Sequence, residues 1–280
     1  MKLGTIRTGT TATAAIIDAD ARRAWPVAGR MMLDIIASGS LPERQGEGMA
    51  LDESTLLAPI PQPARTIFCV GKNYREHVAE MNRDHVGDMR LGEVPSYPVV
   101  FPKLAACVTG PGDPIPLPSG VSDQIDYEAE IAVIIGRGGK GIVKADAMDH
   151  VFGYTILNDV TARDLQRRHQ QWLIGKSLDG FCPMGPWIVT ADEIAPADMT
   201  LRLTVNGEQR QSARGSDMIF DIPTLIESIS AGITLYPGDI IATGTPAGVG
   251  AGFSPPKFLR AGDVVEIEIG GIGRLSNTVR

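Results

Sequence analysis

Apolar and polar positions divide the chain into short segments, most of them with the two-residue period of strands. Residues 11–18 alternate and predict a hairpin. The runs 66–71, 99–103 and 151–159 are continuous and apolar, bounded by glycine, lysine or acid, and predict buried strands. Residues 201–208 alternate up to Asn206-Gly207, a two-residue hairpin turn, and 235–244 and 261–269 predict further strands. Helical stretches are few: 28–37, stopped by Gly39; 72–81; 160–166; and 221–229, which opens on Asp221 and Pro223. Residues 126–136 organise the rest. There an acidic entry, Asp126-Tyr127-Glu128-Ala129-Glu130, runs into Ile131-Ala132-Val133-Ile134-Ile135 and stops at Gly136.

On a strand, Glu128 and Glu130 project to the same face. A partly buried like-charged pair stays ionised only with positive charge nearby, and a hard divalent cation (magnesium, manganese or calcium before zinc) answers that need. From these residues alone, a solvated strand edge with two harmless glutamates answers it equally well. Asp159 ends a core strand, where it could supply a third oxygen; it or Asn158 could equally cap the following helix. His77 and Glu80 are neighbours on a helical turn, as a general base with its orienting carboxylate or as a surface ion pair. The polar, punctuated stretch 82–95 predicts a mobile flap beside them. Lys176, between Trp172-Leu173-Ile174 and a turn, reads locally as a snorkelling surface group. The loop 244–250 offers backbone amides to an anion, or is an ordinary sharp turn. The glycine-rich turn 136–141 has neither the Walker spacing nor the dinucleotide fingerprint.

Composition narrows the function classes. The 280 residues carry a net charge of −7 without a block of like charge, so neither nucleic acid nor an anionic membrane is an expected partner. With 43% hydrophobic residues and a mean hydropathy of +0.02, no run reaches membrane-spanning length. Cys69, Cys107 and Cys182 are widely spaced, which argues for reduced thiols and a cytoplasmic location. Glycine (32) and proline (20) favour many turns over a helix bundle. A proline-punctuated linker at 58–63 suggests a small N-terminal α/β domain, 1–60, ahead of a catalytic domain, 61–280.

Taken in order, several motifs resemble the fumarylacetoacetate hydrolase family over residues 66–280. They are Gly71-x-Asn73-Tyr74-x-x-His77-x-x-Glu80, Asp126-Tyr127-Glu128-x-Glu130, Asn158-Asp159-Val160-Thr161-Ala162-Arg163-Asp164, Gly175-Lys176-Ser177-x-Asp179, Pro237-Gly238-Asp239 and Thr243-Gly244-Thr245-Pro246-x-Gly248-Val249-Gly250. The resemblance implies a mostly β (α+β) fold, a rolled mixed sheet or sandwich-barrel with short helices, usually a homodimer. It implies Mg²⁺ or Mn²⁺ held by Glu128, Glu130 and Asp159, catalysis by His77, Glu80 and Lys176, and substrate contacts from Lys176, Thr245, Tyr74, Gly244 and Arg83. It thereby moves Lys176 from the surface into the site. The implied substrate is a small keto acid, and the expected reaction is hydrolysis of an acylpyruvate of the fumarylpyruvate or maleylpyruvate type to pyruvate and a carboxylic acid. Arg83, Arg90, Arg167 and Arg168 are candidates for its distal carboxylate. Oxaloacetate decarboxylation, isomerisation with decarboxylation in aromatic catabolism, and diketo-deoxy sugar acid hydrolysis are the alternatives. A keto-acid binding protein without turnover is the non-enzymatic one.

Overall fold

Every residue of the strand Ala129–Ile135 is buried, and the architecture follows from that. In the computed structural model, which describes residues 1–83 and 94–280 (without the side chains of Asn82 and Arg83), this strand lies inside a large mixed sheet. Val151–Asn158 and Ile240–Ala242 flank it, both antiparallel. Beyond Ile240–Ala242 come Ile67–Gly71, paired in parallel, and then Val99–Lys103. On the other side Val151–Asn158 pairs with Cys182–Thr190, which pairs with Lys2–Thr8. Alternation sends Ile131, Val133 and Ile135 into one apolar cluster and Ala132 and Ile134 into another. Each isoleucine or valine so buried contributes about 1.5–3 kcal/mol. Because both faces are covered, the strand reads as an unbroken apolar run rather than an alternating one.

A second sheet, in the order Glu208–Arg214, Thr200–Val205, Val264–Ile269, Gly273–Thr278, packs Leu201, Leu203, Val265 and Ile267 into the same cluster as Ile131 and Val133. The opposite face is covered in part by the helix Met32–Ser38, whose Met32, Ile35 and Ile36 join the cluster of Ala132 and Ile134. Gly39 ends that helix in the left-handed conformation at φ 64°, where a glycine avoids the Cβ penalty. The fold is mostly β with short helices.

The expected boundary near residue 60 coincides with no break in the sheet. Lys2–Thr8, Thr11–Asp18 and Arg23–Pro26 extend the large sheet, with Leu3 opposite Ile188. The proline-rich segment is itself tied in, since Thr5 Oγ1 donates to the carbonyl of Pro59 at 2.7 Å. Among the described residues no helix is long and apolar enough to cross a membrane.

Candidate active site

The strand expected over 126–136 is interrupted just before its apolar run. Ile125–Asp126 pairs instead with Thr161–Ala162, and the helix expected from 160 starts at Arg163. That places Glu128 at a crossing of two chain segments. Its N–H donates to Asn158 Oδ1 at 3.0 Å, and its carbonyl accepts the N–H of Asp159 at 2.8 Å. Neither Asn158 nor Asp159 caps a helix, because both side chains are engaged at this crossing. Carboxylate oxygens of Glu128, Glu130 and Asp159 consequently converge within 4.8 Å of one another, all buried.

Cations surround this cluster unevenly. Arg163 Nη1 lies 2.7 Å from Glu128 Oε1, and its Nε bonds Asp126 Oδ2 at 2.8 Å. Lys176 Nζ donates to both Glu128 Oε2 and Asp159 Oδ2 at 2.8 Å. Lys103 Nζ, fully buried, donates to Asp159 Oδ1 at 2.7 Å, to the carbonyl of Val160 at 3.1 Å and to the carbonyl of Lys176. Burial works against the Lys103 charge, but Asp159 overcomes it and holds the ammonium above the usual lysine range. Burial likewise disfavours ionised Glu128, yet Lys176 and Arg163 outweigh it and pull its carboxyl down to about 2.

Glu130 is different. Its Oε2 accepts the backbone N–H of Gly244 at 2.8 Å, and it forms no ion pair among the described residues. Burial first, then the charges of Asp159 and Glu128, push its carboxyl well above the usual range. A buried carboxylate short of positive charge, beside two others presenting oxygens, is a donor set that fits a hard divalent cation.

Above the cluster lies a cavity of about 490 Å³ whose wall includes Glu128, Lys176, His77, Thr245, Arg163 and Trp172. Its apolar side is the edge-to-face pair Phe101–Trp172, with ring centres 5.0 Å apart, and Lys176 Nζ stands over the Phe101 ring. His77 and Glu80 sit on the helix Arg75–Arg83 and meet at 3.2 Å between Nδ1 and Oε2. Glu80 also accepts the N–H of Gly248 at 2.9 and 3.2 Å, so the helix is pinned to the loop 244–250. Glu80 as acceptor puts the Nδ1 proton on the bond and leaves Nε2 as the imidazole's free lone pair. His77 is therefore part of a buried, anchored turn, whereas residues 84–93 of the expected flap, with Arg90, lie outside the described residues.

The other expected contacts divide. Thr245, Arg167 and Arg168 line the cavity. Tyr74 does not: it is buried, its hydroxyl has no partner among the described residues, and burial raises its pKa. Gly244 meets Glu130 through its N–H rather than lining the wall. The Arg83 side chain lies outside the described residues. Sequence reasoning missed Lys103, although Val99, Phe101 and Lys103 share one parity of their strand, which sends the lysine to the Phe101 side. It gave Arg163 no role beyond membership of a motif, and passed over Gln211, which nothing in its polar surroundings singles out.

Residues 66–280 match the model of the fumarylacetoacetate hydrolase C-terminal domain. The chain belongs to the fumarylacetoacetate hydrolase family. It is 54% identical over 231 residues to the oxaloacetate tautomerase YisK of Bacillus subtilis, spanning 82% of this chain and 74% of that protein. Among solved structures it is similar to a fumarylacetoacetate hydrolase from Exiguobacterium antarcticum, with 41% identity, a TM-score of 0.85 and coverage of 100% of this chain and 99% of that one. It is also similar to a 2-hydroxyhepta-2,4-diene-1,7-dioate isomerase from Mycobacterium marinum, with 38% identity, a TM-score of 0.80 and coverage of 100% and 98%. The family places the chain among enzymes, and its relatives are named for tautomerisation and isomerisation as well as for hydrolysis.

Proposed function

We propose that this protein is a divalent-metal-dependent keto–enol tautomerase acting on oxaloacetate or a closely related 2-keto diacid. The observation that carries the reading is the His77–Glu80 pair: an imidazole fixed at Nδ1 with Nε2 free, on the wall of a cavity that also holds Lys176 and Thr245. Tautomerisation needs a base that can take a proton from carbon and return it, and a cation where the enolate oxygen develops. It needs no attacking water. The similarity to YisK supports the same choice.

Glu128, Glu130 and Asp159 would hold the ion, with all-oxygen donors pointing to Mg²⁺ or Mn²⁺. When bound, that ion supplies Lewis-acid polarisation of the keto oxygen. His77 Nε2 takes the C3 proton of the keto form, and Glu80 stabilises the imidazolium so formed. Lys176 presents its ammonium to the developing enolate oxygen. That oxygen takes a proton from solvent while the His77 imidazolium releases its own to solvent, so the enol forms and both side chains return to their starting state. Thr245 donates its hydroxyl proton to the substrate carboxylate. The reverse path runs through the same groups.

Hydrolysis of an acylpyruvate is the second reading. It uses the same enolate stabilisation, with His77 activating water instead of a C–H bond. What favours it is room: a 490 Å³ cavity, with Arg167 and Arg168 on its wall, accommodates more than oxaloacetate. Purified protein with Mn²⁺ should be given oxaloacetate prepared as the enol, and separately a fumarylpyruvate-type diketo acid. Rapid loss of enol absorbance without pyruvate or CO₂, and a slow or absent reaction with the diketo acid, is the expected result. Efficient release of pyruvate from the diketo acid with no effect on the enol would replace tautomerisation by hydrolysis.

A further inference from the structure

Gln211 is fully buried in the middle of Glu208–Arg214, a strand of the second sheet whose other residues are mostly exposed. Its side chain leaves that sheet and enters the site from below. Oε1 accepts the backbone N–H of Ala129 at 2.9 Å. Nε2 donates at 2.8 Å to the carbonyl of Pro246 and at 2.8 Å to Thr245 Oγ1. Chemistry dictates this orientation of the amide. An N–H can only donate and a carbonyl can only accept, so the Ala129 and Pro246 contacts exclude the flipped amide.

The direction of the third bond then follows. Thr245 Oγ1 receives a proton from Gln211, so its own proton must point elsewhere. Among the described residues it donates to no acceptor, and Thr245 lines the cavity. We infer that Gln211 is a positioning residue for substrate: it turns the Thr245 hydroxyl into an outward-facing donor and sets its distance from the carboxylate strand. The second task comes from Ala129, which lies between Glu128 and Glu130. One amide thus ties the anion-recognising hydroxyl to the backbone between two of the cluster's carboxylates. A small 2-keto acid binding through its carboxylate and its keto oxygen needs those two features at one fixed separation.

This inference rests on the reading of Thr245 as a donor to the substrate carboxylate, and oxalate tests both because it presents the planar carboxylate and vicinal oxygen of such a substrate. The experiment is calorimetric titration of oxalate into the Mn²⁺-loaded protein, for wild type, Gln211→Leu, Thr245→Val and the double variant. A hydrogen bond to a charged group is worth enough that each single variant should bind oxalate roughly 10-fold to 100-fold more weakly. The double variant should be no weaker than the worse single one, since both remove the same bond. A purely structural role for Gln211 would instead add its loss to that of Thr245→Val. Gln211→Glu guards against misfolding. It keeps the size and the acceptor for Ala129, but, titrated at alkaline pH where the buried carboxyl is ionised, it accepts the Thr245 proton and turns the hydroxyl away from the cavity. It should lose oxalate affinity like Gln211→Leu.

Wild-type affinity in both Gln211 variants, or losses that multiply in the double variant, overturns the inference while leaving the functional reading in place. If Thr245→Val alone binds oxalate as tightly as wild type, Thr245 is not the carboxylate donor and the inference falls with it. If wild type binds no oxalate in the presence of Mn²⁺, the functional reading itself fails.

Discussion

Glu80 holds His77 at 3.2 Å by Nδ1 while its own carboxylate accepts the N–H of Gly248. The helix Arg75–Arg83 therefore carries both the imidazole and the carboxylate that orients it, and the glycine-rich loop 244–250 fixes that carboxylate through the Gly248 N–H. Replacing Glu80 by Ala should leave metal binding intact and lower kcat for tautomerisation by roughly 10- to 100-fold, less than loss of the base itself. Glu80→Gln should fall between, because the amide still accepts from one N–H. Equal kcat in wild type and Glu80→Ala would remove this carboxylate from the mechanism.

Glu130 makes pH dependence a test of the cation site. Its folded-state pKa lies above the ordinary value near 4.5, so the stabilisation from its proton is complete below that value. It is lost as pH rises through the shifted one. Glu128 works in the opposite sense: held down to about 2, it stabilises the fold above pH 4.5, and that contribution disappears as pH falls toward 2. Chelator-treated protein should therefore lose thermal stability as pH is raised from the ordinary glutamate range toward neutrality, and added Mn²⁺ should restore it. Glu130→Gln, which keeps an acceptor for Gly244, should abolish the Mn²⁺ effect and flatten the profile. A Mn²⁺-dependent rise in melting temperature in Glu130→Gln would refute the assignment.

Lys103 spends all its donors on Asp159, Val160 and Lys176. Lys103→Met should destabilise the fold by about 3–5 kcal/mol, the range for breaking a buried ion pair from one side. Urea denaturation measures it, and a loss below about 1 kcal/mol, typical of an exposed pair, would show that Asp159 finds compensation elsewhere.

How far the sequence could be read depended on whether the information was local. The run Ile131–Ile135 announces a strand buried on both faces, whereas for Glu128, Glu130 and Asp159 local pattern left oxygen ligands level with a solvated edge or a helix cap, and only the family resemblance favoured the ligands. The later start of the helix at Arg163 was not legible, because Thr161 and Ala162 are drawn into pairing with Ile125–Asp126 by a contact distant in sequence. Prolines at 59, 61 and 63 suggest a linker, yet the segment lies against the first strand through Thr5, and only the three-dimensional sheet reveals it. Gln211 was invisible for the same reason: its three partners, Ala129, Thr245 and Pro246, lie far away along the chain.

Gly244 links backbone conformation to the carboxylate cluster. Its φ is +101°, and a Cβ there would stand 2.8 Å from the Cβ of Asn73 and 2.9 Å from the Val70 carbonyl oxygen. Gly244→Ala should cost about 1–3 kcal/mol. It should also weaken Mn²⁺ binding, because the N–H that holds Glu130 moves with the strained backbone. Unchanged Mn²⁺ affinity in a destabilised variant would show that the Glu130 contact is incidental.

In the proposed reaction His77 moves a proton between carbon and solvent. The direct measurement is exchange of the C3 protons of oxaloacetate for deuterium, followed by NMR in D₂O with Mg²⁺, in wild type and His77→Ala. Rapid enzyme-catalysed exchange is expected in wild type, with a fall of roughly 10²- to 10⁴-fold in His77→Ala and equal metal affinity in the two proteins. Exchange in His77→Ala as fast as in wild type would contradict it, as would a wild-type enzyme that leaves the C3 protons untouched.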